Sequence, residues 1–297
     1  MLKQFSKKTT GILTAADLVH PGNRLIYWVM LSLVLLASLV VVLPCLWVLL
    51  SCFKDTQEFY QIPPSLFPKN IRISKLGEVW KEYQFGKYYL NSLLLAAGEI
   101  VFAVVFNGLG GYALSRLNPI GGRFVYKMVF WSMLMPTSMC MVPLFMSFVN
   151  VPIFHVNITN SYLPMFLMAG ANAFNLLLFR SFFNGIDMGY IEAARIDGCS
   201  DLNIFLKIIL PLSLPIVMVI SINSFNSAWS SFLWPYLIMK NDVGRTIAVK
   251  LFTLKGSFIP VDRYMCVIIF TIIPPCLVFM FFSKYIMGGI NVGGIKG

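Results

Sequence analysis

Residues 190–215 read YIEAARIDGCSDLNIFLKIILPLSLP, the most polar piece between two long apolar runs. The pattern predicts a helix, a turn and a second helix. Asp187 is placed to cap the first helix, and the early acid Glu192 suits the positive end of its dipole. Ala193 and Ala194 keep a low side-chain profile, so a second surface can approach closely. Gly198 can take the left-handed conformation that ends a helix. Ser200 can cap the next helix, which runs through Phe205 and Ile208 to Pro211. Pro211 and Pro215 are placed to kink the entry into the following apolar run, where freed backbone groups need other partners.

Working outward, charge-free runs cover residues 25–53, 128–179, 208–239 and 264–283, and a run over 88–115 is broken only by Glu99. A spanning helix needs about 20 mostly apolar residues. The run 128–179 is too long for one crossing, and its middle holds Pro143, Asn150, Pro152, His155, Asn157, Asn160 and Pro164, which divide it. The expected fold is all-α and polytopic, with six crossings. The composition agrees: 58% of residues are hydrophobic and 12% charged, against roughly 25% charged in soluble domains.

Six crossings put both termini, the loop 116–127 and the segment 184–207 on one side. The segments 54–87, 150–162 and 240–263 fall on the other. Lys and Arg divide nearly evenly between the sides. The short segments next to spans, with Lys3, Lys7, Lys8, Arg24, Arg116, Arg123 and Lys127, favour cytoplasmic termini. The net charge of +11 is spread between apolar runs, which suits anionic headgroups and not nucleic acid. The cysteines form no CxxC pair and read as small packing residues. Leu49-Leu50-Ser51-Cys52 only approximates a lipoprotein box, because the apolar stretch before it is too long. No segment is large enough for a soluble catalytic core.

Polar residues inside spans are the candidates for a path. The fifth run carries Asn223, Ser224, Asn226, Ser227, Trp229, Ser230 and Trp234. Positions 223, 227, 230 and 234 are expected on one helical face. Amides with indole rings suit sugars; the same residues also suit hydrogen bonding between helices, with Trp234 at the interface. Both readings stay open. Glu99 reads either as a lining group or as a packing residue near Asn107. Asn172 and Asn175 are further lining candidates, and His155 reads as a surface residue. No GxxxxGK[ST] loop, HExxH or GxSxG appears, so neither ATP cradling of that kind nor an intramembrane enzyme is expected, and no metal site is.

Glu192-Ala193-Ala194, three residues, Gly198, nine residues, Ile208, one residue, Leu210-Pro211 fits the EAA pattern of ABC importer permeases at every defined position. Residues 195–198, Arg-Ile-Asp-Gly, resemble the carbohydrate branch of that family, which includes the second permease of the maltose transporter. Asn91-Ser92, residues 111–116 (GYALSR), Pro235 and the ending Gly-Gly-Ile-Lys-Gly also resemble it. The resemblance implies the type I ABC importer permease fold, in a bacterial cell membrane. It implies a cytoplasmic lead-in at 1–24, a permease domain at 25–297 with a coupling loop at 184–207, and a cytoplasmic tail at 285–297. It also implies that Glu192, Ala193, Ala194, Asp197, Gly198, Leu210 and Pro211 serve contact with a cytoplasmic ATPase subunit, Glu192 meeting a basic residue there. Lys296 and Gly297 would reach between two ATPase subunits. ATP and Mg would sit on those subunits, with no cofactor in this chain. A second, different permease and an extracytoplasmic binding protein complete the implied complex, which moves a carbohydrate, an oligosaccharide by the branch, through alternating access. The sequence departs from the branch at WSSF, residues 229–232, where Trp-Asn-Asp/Glu-Phe is common, so direct sugar contact stays open. The alternatives are an ABC permease for glycerol phosphate or polyols, and an ion-coupled secondary transporter that needs no docking loop. In a purely local reading of the loop, Glu192 would pair with Arg195 or Lys207.

Overall fold

The computed structural model describes residues 21–63 and 65–289. They fall in two compact units, Met1–Arg72 and Ile73–Gly297. The expected roles of Lys296 and Gly297, and of residues 1–20, lie outside the described residues.

In the first unit, α1 (Pro21–Ser51) is apolar on every face, as suits a helix solvated by lipid. The short α2 (Thr56–Phe59) follows. Glu58 organises the chain after it, accepting from the Asp55 N–H at 3.2 Å, the Ser65 hydroxyl at 3.3 Å and the Lys69 N–H at 3.0 Å. Its burial alone would raise its carboxyl pKa, but these bonds and the Lys69 charge hold it below the ordinary value.

The second unit opens with α3 (Ser74–Glu82) and α4 (Phe85–Tyr112), which continues through a π-helical turn (Ala113–Leu117). Next come α5 (Gly122–Ser132), α6 (Thr137–Val149), α7 (Leu163–Gly170) and α8 (Ala173–Asn184). After α9 (Gly189–Ile196), α10 (Asp201–Ile204) runs through a second π-helical turn (Phe205–Ile209) into α11 (Leu210–Leu212). The last helices are α12 (Leu214–Ser230), α13 (Leu233–Ile238), α14 (Ile247–Lys255) and α15 (Val261–Gly289). Among the described residues no strand forms. The central element is α4, which packs on α7, α8 and α12. Its approach to α8 depends on Gly111, where a Cβ would lie 2.9 Å from the Arg180 nitrogen and 3.1 Å from the Leu176 oxygen. Small residues let membrane helices come this close.

The expected six crossings appear as three unbroken helices, Arg24–Ser51, Phe85–Leu117 and Val261–Ser283, and three bent pairs, if each pair counts as one span. The bends are 110° between α5 and α6, 40° between α7 and α8, and 82° between the Asp201–Leu212 and Leu214–Ser230 segments. The 82° bend falls where Pro211 and Pro215 predict it. The 110° bend was not predicted; its signal is Pro136, since the residue before a proline avoids the helical region. The division of the 128–179 run is as expected: residues 150–162 form an irregular loop in which Ile153, His155 and Asn160 take positive φ, and His155 is exposed.

The fifth run departs from expectation. It is broken at Ser231, so Trp234 lies on α13 and not on the face shared by Asn223, Ser227 and Ser230. α12 is helical through Ser230, and the next residue, Ser231, is extended at ψ 117°.

A protruding loop and a polar cavity

The 184–207 segment folds as read, helix, turn, helix. Asp187 accepts from the Gly189 N–H at 2.8 Å just ahead of α9. At the other end Gly198 has φ +76°. The Cys199 N–H reaches the Ala194 carbonyl and the Gly198 N–H the Arg195 carbonyl, both at 3.0 Å. This is the paired closing pattern of a Schellman turn, which requires a left-handed residue. The Ser200 hydroxyl accepts from the Asn203 N–H at 3.4 Å and caps α10.

The two alanines face opposite ways. Ala193 is exposed, whereas Ala194 is buried with Ile191 against Tyr112, Phe179, Phe183, Ile204 and Phe205. The expectation that both present a low profile to a second protein is corrected: only Ala193 can. Ala194 instead seats α9 on its own chain, because helix positions three apart share a face. The outward face carries Glu192, Ala193, Ile196, Asp197 and Gly198. Ile196 is 87% exposed, a large apolar side chain at the tip. Sequence reading missed it, because its face follows only once Ile191 and Ala194 are known to point inward.

Charge pairing leaves Glu192 available. Arg195 pairs with Asp201 at 3.0 Å, and among the described residues no ion pair reaches Glu192. The local pairing of Glu192 with Arg195 or Lys207 is therefore absent. Leu210 and Pro211 sit at the 82° bend and not at the tip.

The 111–116 stretch anchors this loop. Tyr112 is buried beside the rings of Phe205 and Phe183. The Arg116 guanidinium donates to the carbonyls of Phe183 and Ile186, at and just past the end of α8. A cation there meets unsatisfied carbonyls and the negative end of the helix dipole. At the opposite end of α4, Asn91 donates to the carbonyls of Val243 at 2.6 Å and Arg245 at 2.8 Å. Ser92 accepts from the Ile247 N–H at 2.9 Å. Tyr88 and Lys87 donate to Asp242 at 2.9 and 3.1 Å. Partial burial alone would raise the Asp242 carboxyl; these hydrogen bonds and the charges of Lys87 and Lys250 hold it below the ordinary aspartate range.

Midway, the candidate path residues divide. Glu99, Asn172, Asn175 and Asn223 converge from α4, α8 with its N-cap, and α12 on one cavity of 240 Å³, with Ser224 and Ser227. Glu99 is buried, yet among the described residues no hydrogen bond or ion pair reaches it. Its expected neighbour Asn107 is engaged elsewhere, donating to the Ala103 and Ala169 carbonyls at 2.8 and 2.9 Å and accepting from the Asn172 N–H at 3.0 Å. Asn107 thus pins the break between α7 and α8, where Asn172 caps α8 by accepting from the Asn175 N–H at 3.0 Å. Asn226 and Ser230 are exposed on α12 on the same side as Asn223 and Ser227. Trp229 is buried, and its indole N–H donates to the Thr271 carbonyl at 2.9 Å, so it holds α15. Trp234 packs edge-on against Phe148. Neither indole lines the Glu99 cavity.

A multi-span helical protein that presents a capped loop, with its inner face packed on its own core, has the organisation of a membrane-embedded component with a surface for a partner. The chain belongs to the family of binding-protein-dependent transport system inner membrane components, which matches residues 106–291. It is 28% identical over 269 residues to the diacetylchitobiose uptake system permease protein of Streptomyces coelicolor, covering 89% of this chain and 87% of that one. It is 27% identical over 284 residues to the arabinooligosaccharides transport system permease protein of Bacillus subtilis, covering 94% and 99%. Its fold matches a chain of a bacterial ABC transporter involved in the import of the acidic polysaccharide alginate, at TM-score 0.78 and 22% identity, over 93% of this chain and 99% of the other. The protein is therefore a multi-pass membrane subunit of a binding-protein-dependent ABC importer.

Proposed function

We propose that this chain is one half of the channel of a carbohydrate importer and that it moves an oligosaccharide inward by alternating access. The observation that carries the coupling part is the exposed face Glu192, Ala193, Ile196, Asp197 and Gly198 on a loop whose inner face is fused to the core. A loop packed this way moves with α4 and α8 as one body, so a push on its tip reaches the spans. The loop docks on a cytoplasmic ATPase subunit that binds ATP and Mg, and the chain has no ATPase site of its own. Two such subunits, a second and different permease and an extracytoplasmic binding protein complete the assembly. Both termini are cytoplasmic, with the lead-in at 1–24, the permease domain at 25–297 and the tail at 285–297 reaching the ATPases through Lys296 and Gly297.

The path runs by Glu99, Asn172, Asn175 and Asn223, with Asn226 and Ser230 continuing it along α12. Amide and carboxyl groups in a membrane-embedded cavity give a hydroxyl-rich substrate hydrogen-bond partners in place of water. The names of the two curated relatives, a diacetylchitobiose and an arabinooligosaccharide system, support an oligosaccharide.

The test is affinity purification of the full-length chain from membranes, followed by ATP hydrolysis with a panel of oligosaccharides and their binding proteins. An ATPase subunit co-purifies, and one ligand with its binding protein raises hydrolysis. Glu192→Ala weakens that response, and Gly198→Pro abolishes it, because proline cannot adopt φ near +76°. Absence of any co-purifying ATPase would refute the assignment of the loop.

A further inference from the structure

Beside the root of the loop lies a second cavity, of 570 Å³, lined by Leu114, Asn118, Gly121, Arg123, Tyr126 and Arg180 among others. No carboxylate is among its lining residues. Arg180 is held in place: its Nε–H donates to the Leu114 carbonyl at 3.3 Å, and its guanidinium lies 4.3 Å from the centre of the Tyr126 ring. Among the described residues its terminal nitrogens meet no partner. Arg123 makes no hydrogen bond or ion pair among them either. By contrast Arg72, Arg195, Arg245 and Arg263 each face a carboxylate. Two guanidinium groups therefore line this cavity, and no carboxylate faces either of them among the described residues.

The place of the cavity, at the ends of two helices, selects the class of anion it suits. Arg180 lies four residues before the end of α8 at Asn184, about 6 Å inside the end of that helix at 1.5 Å per residue. The cavity also sits where α4 ends and α5 begins at Gly122, with the positive end of the α5 dipole at its rim. At the edge of two spans, the anion present at high local concentration is the phosphodiester of a lipid headgroup. An arginine fork matches phosphate oxygens in pairs.

We propose that this cavity binds the phosphate of an anionic phospholipid. The headgroup bridges Arg123 on α5 to Arg180 on α8. Because Arg116 holds the carbonyls at the end of that same α8, the bound lipid braces the base of the protruding loop. A net anionic lipid is favoured over a zwitterionic one because no acidic residue among those lining the cavity can receive an ammonium group.

The test is lipid retention by the membrane-extracted, full-length protein in its complex, read by native mass spectrometry after detergent exchange. Phosphatidylglycerol, phosphatidylcholine and inorganic phosphate are offered separately. Wild type retains phosphatidylglycerol, does not retain phosphatidylcholine, and is not stripped by millimolar phosphate. Arg123→Gln and Arg180→Gln each weaken retention about tenfold, the usual scale for losing a charge-assisted bond. Arg180→Lys, which keeps the charge and is the safer variant for folding, retains more lipid than Arg180→Gln. Unchanged phosphatidylglycerol retention in both Gln variants overturns the site. Displacement by millimolar phosphate, or equal retention of phosphatidylcholine, overturns the assignment to an anionic lipid.

Discussion

The two ends of α4 are held by different physics. At the loop end, Tyr112 joins a packed cluster with Phe179, Phe183, Ile191, Ala194 and Phe205. At the opposite end, Asn91, Ser92, Tyr88 and Lys87 grip residues 242–247 through hydrogen bonds and an ion pair. Packed apolar contacts are short-ranged and resist deformation, whereas each hydrogen bond or ion pair at the opposite end, from the buried Ser92 to the half-exposed Lys87, adds only a modest net stability. Under the proposed function, force enters at the packed loop end and the channel opens at the opposite end.

This contrast can be broken by substitution. The largest effect is expected from Gly111→Val. A branched side chain there meets the backbone of Arg180 and Leu176, neither of which can step aside. Loss of the folded, monodisperse protein on extraction is the expected result. Phe205→Ala comes next. It empties a fully packed ring site, with a loss on the scale of about 3–5 kcal/mol in measured cores. It should lower the thermal midpoint and weaken the stimulation of ATP hydrolysis, since the loop loses its seat. At the opposite end, Asn91→Ala removes two bonds to carbonyls, each worth about 1 kcal/mol. Here transport should fall more than ATP hydrolysis, which would sharpen the contrast between a force-bearing and an opening end.

The smallest effect concerns pH. Asp242 is held below its ordinary range in the folded protein, so its stabilisation is complete above the unfolded aspartate value of about 4. It fades only as pH falls through the lower folded value. Between pH 5 and 8 the midpoint should therefore show no dependence on this group. Asp242→Asn should remove a loss of stability confined to pH below about 4, as read by thermal unfolding across that range.

Legibility followed sequence distance. The loop was readable because its grammar is local: Asp187, Ser200 and Gly198 each act on neighbours within a few residues. The spans were readable from charge-free length. The 110° bend at residues 133–136 was missed because the surrounding residues are uniformly apolar and one proline carries the signal. The cavity was half legible. Its members could be named as polar residues in lipid, but residues 99, 172, 175 and 223 share no pattern that shows they meet. The tryptophans misled for a physical reason: an indole can serve a ligand or a neighbouring carbonyl, and only the observed Trp229–Thr271 bond decides. The anchoring of Arg116 was hidden likewise, since its partners are backbone carbonyls far along the chain.

Under the proposed function the Gly198 turn projects into the cytoplasm against a separate ATPase subunit. Cys199 is exposed at that turn and reports on it directly. In a variant where the other cysteines are replaced, a membrane-impermeant maleimide should label Cys199 only after the cells are opened, and binding of the ATPase subunit should protect it. Labelling of Cys199 in intact cells would contradict the account.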